Sequence, residues 1–509
     1  MSEKKLNFIN LENITPKVKI YLFFALCVLL FNYFLPLNII ISLLIILFSL
    51  KSDIKENFML FLFTSIYDEV LIIEQLGGSI LRIIMIICFI KLLLYFINHR
   101  LFKITKIEIA IITFFSLSCI VGFITYGFST ESITLLFNVI LILLFYKYFR
   151  EINIEISEFY NMFFKTIIYA VFIACIYGIV HICFLTESSH AYTIYRFKGV
   201  YEPNFMCVYI NIALSILLFN IKIFNTKIRK ILIVFFTIFA CLTVSMTGII
   251  ILTVIYLIYI FQSKDNIKNR FLKSIFTCLI CLLSFFTLNK GIEIFNNLEN
   301  KTKVSETSNL ENNSIPSSID ETADSSSSTV EENESSLPIQ DSQSEQVAQQ
   351  ENIETENIET EDINEDISEG NPIVIRINAI LNDLKNGNFD QMTSGRTALI
   401  REFYNESMNR NWISVLFGNG PDTKTIHSEF FGREKYSHNT YIDFLFNFGI
   451  VGFIIIISYI FNKLIKGNFL YLEDNLMRRN VKIVRFICIL SALSLSLYSK
   501  RLFLLIFLI

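Results

Sequence analysis

A chain of 509 residues, 53% hydrophobic and 17% charged, with a mean hydropathy of +0.54, is too apolar for a water-soluble globule and reads as a membrane protein. Its formal net charge of -3 is a balance between an acidic stretch near residues 299–370 and basic loops elsewhere, so it carries no nucleic-acid footprint. The ten cysteines all fall in or at the ends of apolar stretches and read as small buried hydrophobes. Cys278 and Cys281 form a Cys-x-x-Cys, but an apolar span is poor ground for redox chemistry.

Crossing a bilayer core of about 30 Å takes roughly 20 apolar residues in a helix that satisfies its own backbone. About twelve or thirteen runs approach that requirement. They are residues 19–35, 37–50, 57–73, 79–97, 106–127, 131–149, 159–184, 204–221, 229–246, 248–262, 271–289, 440–462 and 483–499. The first run lacks a small-residue cleavage site after it and reads as a retained span. Lys and Arg gather in alternate connections, for example Lys51 with Lys55, Arg100 with Lys103, Lys227 with Arg229, and Arg478 with Arg479. Those connections are predicted to be cytoplasmic, which puts the N-terminus inside. The predicted fold is therefore an all-α polytopic membrane protein. Residues 1–289 hold eleven spans, residues 290–437 form a large extracytoplasmic loop between the eleventh and twelfth, and residues 438–509 return to the membrane.

Two external connections break the charge rule. The first, residues 195–204, carries Arg196 and Lys198 beside aromatic residues, with Glu202 and Asn204 closing it. Such cations are either interfacial anchors or ligands for an anion flanked by rings that stack on sugars. Arg82, near the outer end of the fourth span, and Asp68 with Glu69 just before it, are weaker candidates. The second is the long loop. Its residues 299–370 are Ser, Glu, Asn, Asp and Gln, with a repeated ENIET, and bury too little apolar surface to offset chain entropy; a disordered spacer is expected. Residues 372–437 regain helical periodicity, and a surface helix is expected from Val374 to Leu384.

A further helix is predicted from Thr393 or Ser394, either of which can cap it, to about Arg410. It sets Arg396 in a first turn whose potential is already positive, an arrangement suited to a phosphate. The glycines of LFGNG at 416–420 indicate a tight turn, and Trp412, the only tryptophan, is the type of residue that anchors at a membrane interface. His427 and His438 lack the spacing of a zinc site, and no metal or cofactor is expected. His438 and Asn439 open the next span, where the positive dipole end favours neutral imidazole, the form that accepts a proton. Asn439, Asp443 and Asn447 recur every four residues and should form one polar stripe facing the bundle. Gly449 and Gly452 read as helix-packing positions.

Taken in order, RFKGVYEPN at 196–204, TVSMTG at 243–248, SGR at 394–396, LFGNG at 416–420, SHN at 437–439 and GIVG at 449–452 resemble the O-antigen ligase and Wzy-type polymerase superfamily of envelope glycan assembly. The resemblance covers roughly residues 79–500. The family often has Arg where Met246 stands, and the acidic insertion lies outside its pattern. It implies a GT-C-like, metal-independent glycosyltransferase taking its donor glycan from undecaprenyl pyrophosphate at the outer face of the cytoplasmic membrane. The acceptor would be another lipid-linked repeat unit in a polymerase, or a lipid or protein anchor in a ligase. Other polysaccharide assembly proteins are possible partners. Carried onto this chain, Arg196 and Arg396 would hold the pyrophosphate and His438 would act as base or orient the acceptor. Lys198, Glu202, Asn204, Asn439, Asp443 and Arg82 would line the substrate. A lipid-linked-oligosaccharide transporter is the competing expectation, but polar residues gathered at one face, without repeated halves, count against it.

Overall fold

The computed structural model describes residues 35–67, 72–73, 78–99, 106–126, 130–152, 156–184, 197, 202–220, 223–243, 245–262, 268–269, 271–272, 274–275, 279, 385–387, 390, 395–420, 425–466, 475–493 and 495. The chain divides into one unit formed by Met1–Phe295 with Phe389–Ile509 and a second, Asn296–Asn388. The expected acidic spacer, the surface helix at 374–384, the first span and most of the eleventh lie outside the described residues.

In chain order the first unit has α1 (Leu35–Lys51), α2 (Ile54–Thr64), a short hairpin of β1 (Ile72–Ile73) and β2 (Gly78–Ser79), and α3 (Ile80–Asn98). It continues with α4 (Lys106–Tyr126), α5 (Thr130–Glu151), α6 (Ile156–Phe184), α7 (Pro203–Phe219), α8 (Thr226–Leu242) and α9 (Met246–Gln262). Later in the chain come α10 (Arg396–Met408), α11 (Trp412–Phe417), a hairpin of β3 (Thr425–Ser428) and β4 (Arg433–Tyr436), α12 (Thr440–Lys466) and α13 (Asn475–Ala492). The described part is mostly helical. Among the described residues, four stretches are long and apolar enough to cross a membrane: Ile80–Asn98, Ser132–Glu151, Glu158–Val180 and Thr440–Phe461. Of the shorter apolar helices, Pro203–Phe219 packs on α6, while Thr247–Gln262 packs on α7, α8 and α13.

These helices start where their sequences offer a cap. Asp53 accepts the Glu56 N–H while Glu56 returns the bond to the Asp53 N–H, a reciprocal pair that begins α2. The end of α1 is closed from another helix: Lys91 on α3 donates to the Ser49 carbonyl at 2.7 Å and the Ser52 carbonyl at 2.5 Å. Phe58 on α2 sits edge-on to Phe145 and Phe149 of α5, with Phe159 and Phe163 of α6 beside it, and these rings form the apolar centre of one half. In the other half, α7 is enclosed by α6, α8, α9 and α13. Asn480 on α13 closes its far end, donating to the Phe219 carbonyl at 2.7 Å and Asn220 Oδ1 at 3.0 Å.

Boundary expectations mostly hold to within a few residues, with two clear exceptions, one of them the last run, 483–499, which is met by a helix from Asn475 to Ala492. The run 57–73 was expected to be a single span, yet α2 stops at Thr64 and Ile72–Ile73 pairs antiparallel with Gly78–Ser79. Apolar content alone cannot separate a helix from a strand over so few residues. Residues 395–436, expected within a large loop, fold into the same unit as the helices: α10 packs on α12, as does α11.

Candidate functional site

One end of the bundle gathers residues from most of the motif segments. At this end α7 and α9 begin and α8 finishes: Cys207 of α7 lies beside Gly248 of α9 and its thiol reaches the Ala240 carbonyl of α8. A Cβ on Gly248 would collide with the Cys207 sulfur, so this crossing requires glycine. Ser245 caps α9, accepting the Gly248 N–H on its hydroxyl at 3.2 Å, and Asn211 on α7 donates to the Gly248 carbonyl at 3.0 Å. This network holds Thr247 in the first turn of α9.

Arg396 meets that turn from 149 residues away, its Nη1 donating to Thr247 Oγ1 at 3.3 Å. The helix carrying it does not start as expected. Thr393 and Ser394 lie outside the described residues, and the N-cap is Gly395, in the left-handed region at φ 76°, with no side-chain cap. Glycine is required there twice over, for the backbone conformation and because a Cβ would run into Phe430 and Phe431. Arg396 is thus the first helical residue, adding its charge to the positive end of α10. Phe403 packs edge-on against Phe446 of α12 at 5.0 Å, and Glu402 accepts the Phe430 N–H at 3.0 Å, so both α12 and the β3–β4 hairpin hold the helix.

The hairpin runs directly into Ser437, His438 and Asn439. α12 begins at Thr440, where the run 440–462 was expected to begin; Asn439 is its cap, and His438 stands one residue before that cap. Asn439 Oδ1 accepts the Tyr441 N–H at 2.9 Å and the Ile442 N–H at 3.1 Å. His438 is half-buried at φ 50°, and among the described residues it is the only non-glycine with positive φ. That conformation is costly for a residue with a Cβ and persists only where its surroundings enforce it. The enforcing contacts lie on both sides. Ser437 donates to Asp443 Oδ1 at 2.5 Å and accepts the Asn439 N–H at 3.0 Å. Asn439 Nδ2 and Thr440 Oγ1 donate to the Leu493 and Leu495 carbonyls at 2.7 and 2.5 Å, tying the start of α12 to the end of α13. Replacing Ser437 with alanine should destabilise the protein by about 1–3 kcal/mol, because a buried carboxylate oxygen loses its donor; thermal unfolding in detergent reads the change.

The expected polar stripe is present: Asn439, Asp443 and Asn447 are all buried. Asn447 uses its carbonyl to accept the Gly420 N–H at 3.0 Å. The turn at 416–420 has Gly418 at φ 79° and Gly420 at φ 84°, as its glycines imply. Gly449 is more than a packing position. It interrupts α12 at φ 65°, and a Cβ there would meet Gly418 N and Leu416 O at 2.5 Å. Gly452 does receive a neighbouring side chain, Phe114 of α4.

Arg196 and Lys198 lie outside the described residues. Phe197, between them, donates its N–H to the Leu242 carbonyl at 2.8 Å and packs edge-on to Phe239, at the end of α8. Glu202 is exposed and accepts from Asn204 Nδ2 at 3.2 Å, so these two pair with each other. Arg82 is exposed on α3, whose packing partners are α1, α2 and α5. Asp68 and Glu69 also lie outside the described residues. Three residues were passed over in the sequence. Thr247 could have been found from its place in TVSMTG. Arg410 stacks over the Phe446 ring at 3.6 Å, and the buried Asn419 amide is satisfied with its oxygen toward that guanidinium. Arg485 lies fully buried in α13 near Tyr160 and Tyr459, and a cation inside the expected span 483–499 is itself the signal.

Comparison of the chain with protein-family models, curated proteins and solved structures returned no match.

Proposed function

We propose that this protein is a glycosyltransferase that polymerises undecaprenyl-pyrophosphate-linked oligosaccharide repeat units into surface polysaccharide at the outer face of the cytoplasmic membrane. The observation that carries this reading is the contact of Arg396 with Thr247, which joins two segments distant in the chain at the end of the bundle where Asn439 starts α12. A guanidinium at a helix start offers fixed donors to a diphosphate, and the charge that develops on a leaving group is best met by donors already in place. A half-buried imidazole on the link between β4 and α12 supplies a proton acceptor.

The reaction needs little else. The acceptor hydroxyl attacks the anomeric carbon, the bond from that carbon to the pyrophosphate oxygen breaks, and the electron pair leaves with undecaprenyl pyrophosphate. The hydroxyl proton passes to His438 while Arg396 neutralises the leaving group. His438→Ala should lower long surface glycan by about 100-fold, the scale of a lost general base, without changing membrane insertion. A polysaccharide gel of a strain carrying the variant tests this. A single-repeat band on the usual anchor is the expected result, free lipid-linked polymer would indicate transfer to an anchor instead, and full-length polymer would refute a role for His438. Substrate stranded in the inner leaflet would point to transport.

A further inference from the structure

The short helix α11 and the turn behind it lie below the end of the bundle, not above it. Gly420 approaches Gly122 of α4, which is about 6 Å along the helix from Tyr126. The backbone at Leu416 and Gly418 fits into the bend at Gly449, about 13 Å along α12 from Thr440. Irregular backbone at such a depth is tolerated where protein covers it and its polar groups are paired. Both conditions are met: Gly418, Asn419 and Gly420 are buried, Gly418 N donates to the Ser414 carbonyl at 2.8 Å, Gly420 N donates to the Asn447 carbonyl, and Asn411 Oδ1 caps Ser414 N at 2.8 Å.

The other face of the same helix is open. Trp412 is 70% exposed, Ile413 45% and Phe417 41%, three large apolar side chains on six residues. On α4, Phe123 and Ile124, next to the Gly122 that Gly420 approaches, are open as well, 55% and 76% exposed. Water is a poor partner for such a patch, and lipid is the solvent of the adjoining helix.

We propose that α11 lies in the membrane plane within the leaflet at the end where α12 begins, with Trp412, Ile413 and Phe417 against lipid acyl chains and its opposite face seated on α12. The inference rests on the membrane-protein reading and stands apart from the transferase assignment. One consequence is that the segment following α10 is anchored to the bilayer just after Arg410, keeping the rim close to lipid-borne molecules.

Trp412 is the only tryptophan in the chain, so fluorescence excited at the red edge, where the 22 tyrosines do not absorb, reports on this position alone. The full-length protein would be reconstituted in phosphatidylcholine and phosphatidylglycerol vesicles whose acyl chains are unlabelled, brominated near the headgroup or brominated near the chain end. Acrylamide in the aqueous phase serves as the opposing quencher. The proposal expects emission to fall by about half or more with bromine on the acyl chains, the more effective position reporting the depth of Trp412, and to change little with acrylamide. Strong quenching by acrylamide with none by bromolipid would overturn it, because α11 would then stand in water. Protection from both quenchers would overturn it too, since protein would be covering the patch. A Trp412→Phe variant should retain the fold while losing the signal, which confirms its origin.

Discussion

Replacing Arg396 with alanine is expected to cut formation of long surface glycan by about 100-fold or more, the loss typical of one pre-placed donor to developing charge. The bundle itself should remain intact. Arg396 is half-buried at the first position of α10, while Phe403 and Glu402 hold that helix to α12 and the hairpin. Arg396→Lys keeps the charge but loses the planar pair of donors that suits a diphosphate, and it should recover only a small part of the activity. Thr247→Val, which removes the hydroxyl that accepts from Arg396 Nη1, should cost much less, of the order of one neutral-acceptor hydrogen bond at about 1 kcal/mol, or roughly fivefold. Polysaccharide gels and assays with purified lipid-linked donor measure the series. Equal activity in Arg396→Ala and the parent would remove the guanidinium from the reaction altogether.

The largest effect on stability is expected at Gly449. Its φ of 65° is costly for any residue with a Cβ, and the added carbon would sit 2.5 Å from Gly418 N and Leu416 O, both backbone atoms. The left-handed conformation costs about 1–2 kcal/mol and the overlap a further 1–3 kcal/mol. Gly449→Ala should therefore destabilise the protein by about 2–5 kcal/mol and dislodge α11 from the bend in α12. Gly432→Ala provides the comparison. That glycine has φ 61° on the hairpin but nothing within 4 Å of an added Cβ, so only the conformational cost of about 1–2 kcal/mol applies. Thermal unfolding of the purified variants in detergent distinguishes them. Similar melting temperatures would mean that α12 can bend without glycine.

Much of the helical layout is local in origin. A run such as 79–97 or 131–149 is apolar on every side and long enough to close its own hydrogen bonds, so composition is sufficient to indicate it. The burial of Asn439, Asp443 and Asn447 also follows from their spacing on one helix face. Exact starts did not follow. Ser394 and Thr393 are better caps by residue type than Gly395, yet the close approach of Phe430 and Phe431 selects the residue with no side chain. A similar limit applies to Gly449: two glycines three apart suggest helix packing, whereas a second backbone, the turn at 416–420, occupies the space opened by a bend.

The amino-acid order by itself determined that this is a helical, membrane-type chain with a polar stripe on α12 and a glycine turn after Trp412. Periodicity, composition and glycine content act within a few turns, and for that reason they can be read without a fold. Tertiary structure alone decided that Arg396 meets Thr247, that His438 is strained just outside its helix, and that α11 lodges in a bend of α12. Each of those depends on residues tens to hundreds of positions apart, and contact at such separations is set by how helices pack, not by neighbours along the chain.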